Sequence, residues 1–393
     1  MKMATTLPIE ILMIIAKYAS RSLLHRLSLV SREIYSITMP LLYASIPDLS
    51  KCMPRTIRCL LTLSTKPELA RMVYSFSLTL SQSHALRAFH RLISHALSNM
   101  TSLGRLSIHS TVPICSILSQ MSCQLTELSY YSLPSDLYPV SNFLSTQPTI
   151  EKLNIICQAD GLSNLAPNAL PALRSLSAPV ELLLTPLLSH LSRPSRLSVL
   201  HAMTNVGHFA QLARALREIT SPRPLELLVG IDTSTNPGAV EVASLGLACL
   251  APAAPFVTSL NLNILRGYIQ PDELHDIFAF ALPRFPNLKT FTMMSPPPYE
   301  ITYTRDFQMR KLSHTISLIY GELSSLQLPI DTPLPLPAMQ SEPGPAQHQP
   351  NSDALHDQSC HTKMLREWGQ IHPGLECVIF PGALYNLEAF RWD

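Results

Sequence analysis

The sequence predicts an α/β chain in which a short N-terminal helical segment precedes stacked strand–helix repeats that share one curved, mainly parallel sheet. Three observations predict it. Aliphatic residues follow a helical period over residues 7–43. A six-residue apolar phrase recurs from about residue 66. Amphipathic segments lie between its copies.

The first element begins at Leu7-Pro8. Pro8 suits a helix start, where the missing N–H costs nothing, and Glu10 sits favourably against the positive end of the helix dipole. Leu7, Ile11, Ile14, Ile15 and Tyr18 then follow the helical period. After Ser20-Arg21-Ser22 the stripe resumes with Leu23, Leu24, Leu27, Val30 and Ile34 and ends near Pro40 to Tyr43. About forty residues cannot enclose these aliphatics in a core of their own. The segment therefore needs a partner or the following domain to cover it.

The repeat region reads apolar-x-x-apolar-x-apolar, and its last three positions alternate as a half-buried strand does. Copies begin at Leu69, Leu103, Leu125, Ile150, Leu173, Leu197, Leu225, Val257 and Leu288. From Leu103 onward the starts are 22, 25, 23, 24, 28, 32 and 31 residues apart, so the earlier spacings match the leucine-rich-repeat period and the later ones slightly exceed it. Helical segments are clearest at Leu86, Phe89, Ile93, Ala96 and Leu97, and at Phe209, Leu212, Leu216 and Ile219. A strand–helix unit cannot close its own core, so the units must stack as a solenoid. The intervening positions Arg105, Ser107, Glu127, Ser129, Lys152, Asn154, Asn261, Asn263, Lys289 and Thr292 are the ones free to face a ligand.

Seven prolines fall between Pro329 and Pro350, and residues 329–361 are expected to be a disordered insertion. Strand phrases at Leu375 to Phe380 and Leu387 to Trp392 would cap the solenoid. The expected organisation is thus a helical motif over residues 1–50, irregular repeats over 51–328, the insertion, and a cap over 362–393.

Composition narrows the partners. The 29 Lys and Arg residues against 27 Asp and Glu leave +2 with no basic run, so no nucleic-acid partner is expected. The longest apolar stretch, Val242 to Val257, carries Pro252 and Pro255 and is too short to span a bilayer, so no membrane partner is expected either. Eight cysteines without a C-x-x-C pair point to reduced thiols and a cytoplasmic or nuclear location.

Catalytic and metal signatures do not assemble. Gly161-Leu162-Ser163-Asn164-Leu165 lacks the second glycine of a nucleophile elbow, and Glu273-Leu274-His275-Asp276 has no second histidine at i+4. Cys360-His361, His348 and His356 lack zinc spacing. No metal, cofactor or catalytic residue is expected.

Leu7-Pro8-Ile9-Glu10-Ile11-Leu12, then Leu24-x-x-Leu27-Ser28-Leu29-Val30-Ser31-Arg32, then Pro40-Leu41-Leu42-Tyr43 together resemble the F-box. The whole chain resembles fungal F-box proteins with irregular leucine-rich repeats. The resemblance implies a non-catalytic substrate receptor of an SCF-type cullin-RING ubiquitin ligase. Its F-box would bind a Skp-type adaptor, and through it a cullin, while the repeats hold a protein substrate. Carried over by position, the adaptor contacts are Leu7, Pro8, Ile11, Leu12, Ile15, Leu24, Leu27 and Val30, with Ser31 closing the motif. The competing expectation is a leucine-rich interaction scaffold without ligase function.

Overall fold

The computed structural model describes residues 7–50, 52–81, 87–132, 139–185, 188, 194–219, 223–234, 238–295 and 353–387. Twelve strands form one open sheet in the order of the sequence. The first six are β1 (Ser45–Ile46), β2 (Ser75–Leu80), β3 (Arg105–Ser110), β4 (Glu127–Ser132), β5 (Lys152–Ile156) and β6 (Ser175–Ala178). The rest are β7 (Arg196–Ala202), β8 (Leu225–Asp232), β9 (Val257–Arg266), β10 (Thr290–Met294), β11 (Cys377–Phe380) and β12 (Ala383–Asn386). Each pairs in parallel with the next, except that β11 and β12 form an antiparallel hairpin.

The register explains why the sheet is continuous. Ile46, Phe76, Leu106, Leu128, Leu153, Leu176, Leu197, Leu227, Leu260, Phe291 and Val378 stand in one row across eleven strands, and all are buried. Each apolar side chain meets its counterparts on neighbouring strands, so one hydrophobic cluster runs from Ile46 to Leu387. The alternate positions form the opposite, open face.

Helices cover the buried face unevenly. Between Leu106 and Leu197 the row positions are 21 to 25 residues apart, and elsewhere up to Phe291 they are 30 to 33 apart. Four of the five longer units hold helices of three turns or more, Met53–Thr65, Arg87–Asn99, Val206–Arg217 and Ala239–Leu250, and the fifth carries Pro271–Asp276 followed by a π turn and a 3-10 turn. Shorter ones carry Cys115–Leu118, Val140–Ser145, the 3-10 turn Ala159–Leu162, and Val180–Leu183. A twelve-residue helix spans about 18 Å, and a short unit has no chain left to return from it. The expectation of a full helix in every unit is therefore corrected.

Three repeat starts also shift. Pro67–Ala70 is a helical turn opened by its proline, so the phrase beginning at Leu69 lies before the strand, and the aligned copy is Val73 to Leu78. Leu197 and Leu227 fall in the row of Leu176, which leaves Pro194 and Pro224 where the other copies begin with an aliphatic residue. The cap also begins earlier than expected. Ala354 and Leu355 are buried and a helix runs over Gln358–Ile371, so residues 353–361 belong to the cap. Residues 329–352 of the expected insertion, Leu86, and Glu388 to Trp392 of the last strand phrase lie outside the described residues.

His361 explains the early cap. It is fully buried, its Nε2 donates to the Ala354 carbonyl at 2.9 Å, its Nδ1 lies 3.0 Å from the Tyr385 hydroxyl, and its ring stacks on Phe380 at 4.1 Å. Burial holds its pKa below the ordinary 6.5, outweighing the raising effects of the Ala354 carbonyl and Asp357. The unfolded chain thus binds this proton more tightly than the folded one. The histidine's contribution is complete above the unfolded value and is lost as pH falls below it. Hydrogen exchange at β11 and β12 should therefore accelerate between about pH 7.5 and about pH 5.5, after correction for intrinsic rates, and His361→Gln should flatten that change. An unchanged pH profile in the variant would assign the effect elsewhere.

Close packing generates a second prediction. A Cβ on Gly246 would lie 2.2 Å from the ring of Phe209, itself fully buried. Gly246→Ala should lower the urea midpoint, costing about 1–3 kcal/mol from overpacking.

Candidate functional site

The N-terminal segment folds into three helices, α1 (Ile9–Tyr18), α2 (Arg21–Leu27) and α3 (Arg32–Tyr43). Local chemistry sets their ends. Glu10 lies in the first turn of α1 and Lys17 in the last, each matched to the helix dipole. The Ser20 hydroxyl caps α2 by accepting from the Leu23 N–H at 3.4 Å, and Ser31 caps α3 by accepting from the Ile34 N–H at 3.2 Å. Ala16, Leu24 and Met39 are buried, but they stand apart from the continuous core of the sheet.

What these helices leave uncovered is their main feature. Twelve of the twenty-three large apolar side chains that are exposed among the described residues fall between Leu7 and Leu41. Ile9, Ile11, Met13, Ile14 and Ile15 are all exposed on α1, where only Ala16 is buried. A helix that is apolar nearly all round is ordinarily enclosed, and contiguous apolar surface of this kind marks an interaction site.

The expected adaptor residues divide. Leu7, Pro8, Ile11, Ile15 and Val30 are exposed, with Leu7 at 57% and Val30 at 66%. Leu12 and Leu27 are half-buried. Leu24, at 5% exposure, is buried and is not available as a contact, and exposed Ser31 acts as the helix cap. The structure adds Ile9, Met13, Leu29 and Tyr35 to the exposed set. Helical periodicity marked which residues share a face, but not which of two faces the neighbouring helix covers.

The helices join the sheet at a defined point. The Ala44 carbonyl accepts from both the Tyr74 and Ser75 N–H groups at 2.9 Å, the Arg21 guanidinium donates to the Ser45 carbonyl, and α3 runs directly into β1. Asp48, just beyond, accepts from the Thr79 hydroxyl at 2.8 Å and from Ser50. Burial alone would raise its pKa, but the hydrogen bonds from Thr79 and Ser50 outweigh burial and hold it below the ordinary value.

The open face of the sheet is polar. Lys152 pairs with Glu127 at 2.8 Å, Arg196 with Glu226 at 3.6 Å and Lys289 with Glu376 at 2.9 Å, while the Arg105 guanidinium stands 5.1 Å from the Tyr74 ring centre. Arg105, Ser107, Glu127, Ser129, Lys152, Asn154, Asn261, Asn263 and Lys289 reach this face at least in part. Thr292, expected with them, is buried at 8% exposure.

Clusters that imitate catalytic sites have structural roles. Ser295 Oγ lies 2.9 Å from His356 Nε2, but Asp353 approaches that same nitrogen at 3.7 Å and so does not orient the ring from its far side as a triad carboxylate would. The group joins β10 to the start of the cap. The Ser163 hydroxyl donates to the Asp160 carbonyl, and Glu273 caps its own helix by accepting from the Gln270 N–H at 2.8 Å. Burial pushes the Cys157 thiol up to about 12, with Cys115 adding to the shift, and the Cys123 thiol up to about 11, which keeps both protonated. Among the described residues no group of three or more His, Cys, Asp or Glu side chains is placed to hold a metal ion, and no helix is long and apolar enough to cross a membrane.

Compared with protein-family models and with curated proteins, the chain matches none.

Arg21 provides the test of how the helices are seated. Arg21→Ala should raise hydrogen exchange across α1 to α3 and leave β4 to β9 unchanged, since a charged hydrogen bond contributes about 1.5–3 kcal/mol. Equal protection in both proteins would show that the bond to Ser45 is not what seats them.

Proposed function

We propose that the chain is an F-box-type substrate receptor: the N-terminal helices dock on a Skp-type adaptor of a cullin-RING ubiquitin ligase, and a leucine-rich-repeat-like solenoid holds the protein to be modified. The single observation that carries this reading is the aliphatic surface of α1 to α3, exposed at Leu7, Ile11, Ile15 and Val30 in the segment whose motif resembles an F-box. Supporting it, a mainly parallel sheet built in chain order presents a long polar face on which a protein can be held. In this reading the chain contributes no reacting group. It raises the effective concentration of substrate beside the ubiquitin-conjugating enzyme, and the direct passage of α3 into β1 limits how far the two can swing apart.

Co-purification with a Skp-type adaptor tests the proposal. The wild-type chain should retain the adaptor through gel filtration, and Ile11→Glu with Ile15→Glu should lose it while keeping the same thermal midpoint. A charge placed in an apolar interface leaves a desolvated, unpaired group and should weaken binding at least 100-fold. Retention by the folded double variant, or no binding by the wild type, would reject the assignment. Adaptor binding without recruitment of a cullin would favour the scaffold without ligase function.

A further inference from the structure

The row of outward residues at the start of the strands has an unusual order of charge. Register places Glu127, Lys152, Ser175, Arg196 and Glu226 on five successive strands. The row reads anion, cation, hydroxyl, cation, anion, nearly symmetric about Ser175. Each cation is paired on its outer side only: Lys152 with Glu127 and Arg196 with Glu226. An ammonium has three donors and a guanidinium five, so most donors of both remain unused. The hydroxyls of Ser175, Ser177 and Ser198 likewise have no protein partner among the described residues. These groups line an open depression of about 340 Å³.

We propose that this depression binds a peptide segment carrying one compact anionic side chain, a carboxylate or a phosphomonoester, seated over Ser175 between Lys152 and Arg196. The proposal rests on reading the open face as the surface that holds the ubiquitin ligase substrate, and it names the chemistry of that substrate. Adjacent strands are about 4.8 Å apart, so the two cation-bearing positions lie about 10 Å from each other, within reach of one anion held by both side chains. Small serines beside them let a peptide backbone approach closely and offer it hydrogen-bond partners. The openness suits an extended segment better than an enclosed metabolite.

The flanking acids set the rest of the motif. Glu127 and Glu226 each lie two strands from Ser175, about 10 Å away, which an extended peptide running across the strands covers in about three residues. A second anion beside the first would meet Glu127 on one side or Glu226 on the other, although Arg105 stands on the strand beyond Glu127. The favoured segment has a single anion with a basic residue about three positions to either side.

Fluorescence anisotropy on the full chain tests this without any adaptor, so its outcome is separate from that of the adaptor assay. The probes are fluorescein-labelled Gly-Ser peptides with lysines three residues either side of a central phosphoserine, glutamate or serine. The better anionic peptide should bind at least about tenfold more tightly than the serine peptide, an advantage that falls with added salt. Lys152→Ser with Arg196→Ser should erase the advantage. Both side chains are largely exposed, and an unchanged thermal midpoint will confirm folding. A phosphoserine preference names the phosphomonoester, equal or better binding of glutamate names the carboxylate, and both uphold the site. Equal binding of all three peptides, or an advantage that survives loss of both cations, would overturn it.

Discussion

No strand–helix unit of this chain can close a core by itself, and every other feature depends on that constraint. The row from Ile46 through Leu153 to Val378 is buried because each side chain is flanked by its counterparts on adjacent strands. Helices are secondary to this row. Where the units are short, single turns suffice to cover it. Where they are long, packing becomes tight enough that Gly246 lies directly against the ring of Phe209. The same alternation that buries one face leaves the other to Lys, Arg, Glu, Ser and Asn.

The N-terminal helices fall outside this scheme. Their buried residues Ala16, Leu24 and Met39 stand outside the continuous core of the sheet, and five of the six large aliphatics of α1 other than alanine, Ile9, Ile11, Met13, Ile14 and Ile15, stay exposed while Leu12 is half-buried. The sheet holds them by backbone and charge, through Ala44, Ser45 and Arg21, and does not bury them. Two surfaces of different chemistry therefore sit on one chain, an apolar one on the helices and a polar, charge-ordered one on the sheet.

Much of the fold was legible in the sequence because the strand phrase encodes burial directly. The phrases Leu103 to Ile108 and Val257 to Leu262 fall on β3 and β9, with Leu106, Ile108, Leu260 and Leu262 buried as the alternation requires. The misplaced copies fail for identifiable reasons. Pro194 and Pro224 occupy positions where a leucine was sought, and Leu69 imitates a strand start inside a helical turn. The place of His361 in the cap is not legible, because nothing local reveals that Tyr385, 24 residues on, and Phe380 enclose it. At the candidate site the period of α1 was readable, but the burial of Leu24 depends on how α2 meets α3, which periodicity does not specify. The charge order around Ser175 was hidden for the same reason. Its members are far apart in sequence and become a row only when the strands align.

Hydrogen exchange of the full chain, with and without a purified Skp-type adaptor, tests the central claim most directly. The account predicts that the adaptor protects residues 9–43 and leaves the open face of β4 to β8 unchanged. Protection confined to the sheet, or no change on α1 to α3 at saturating adaptor, would contradict it.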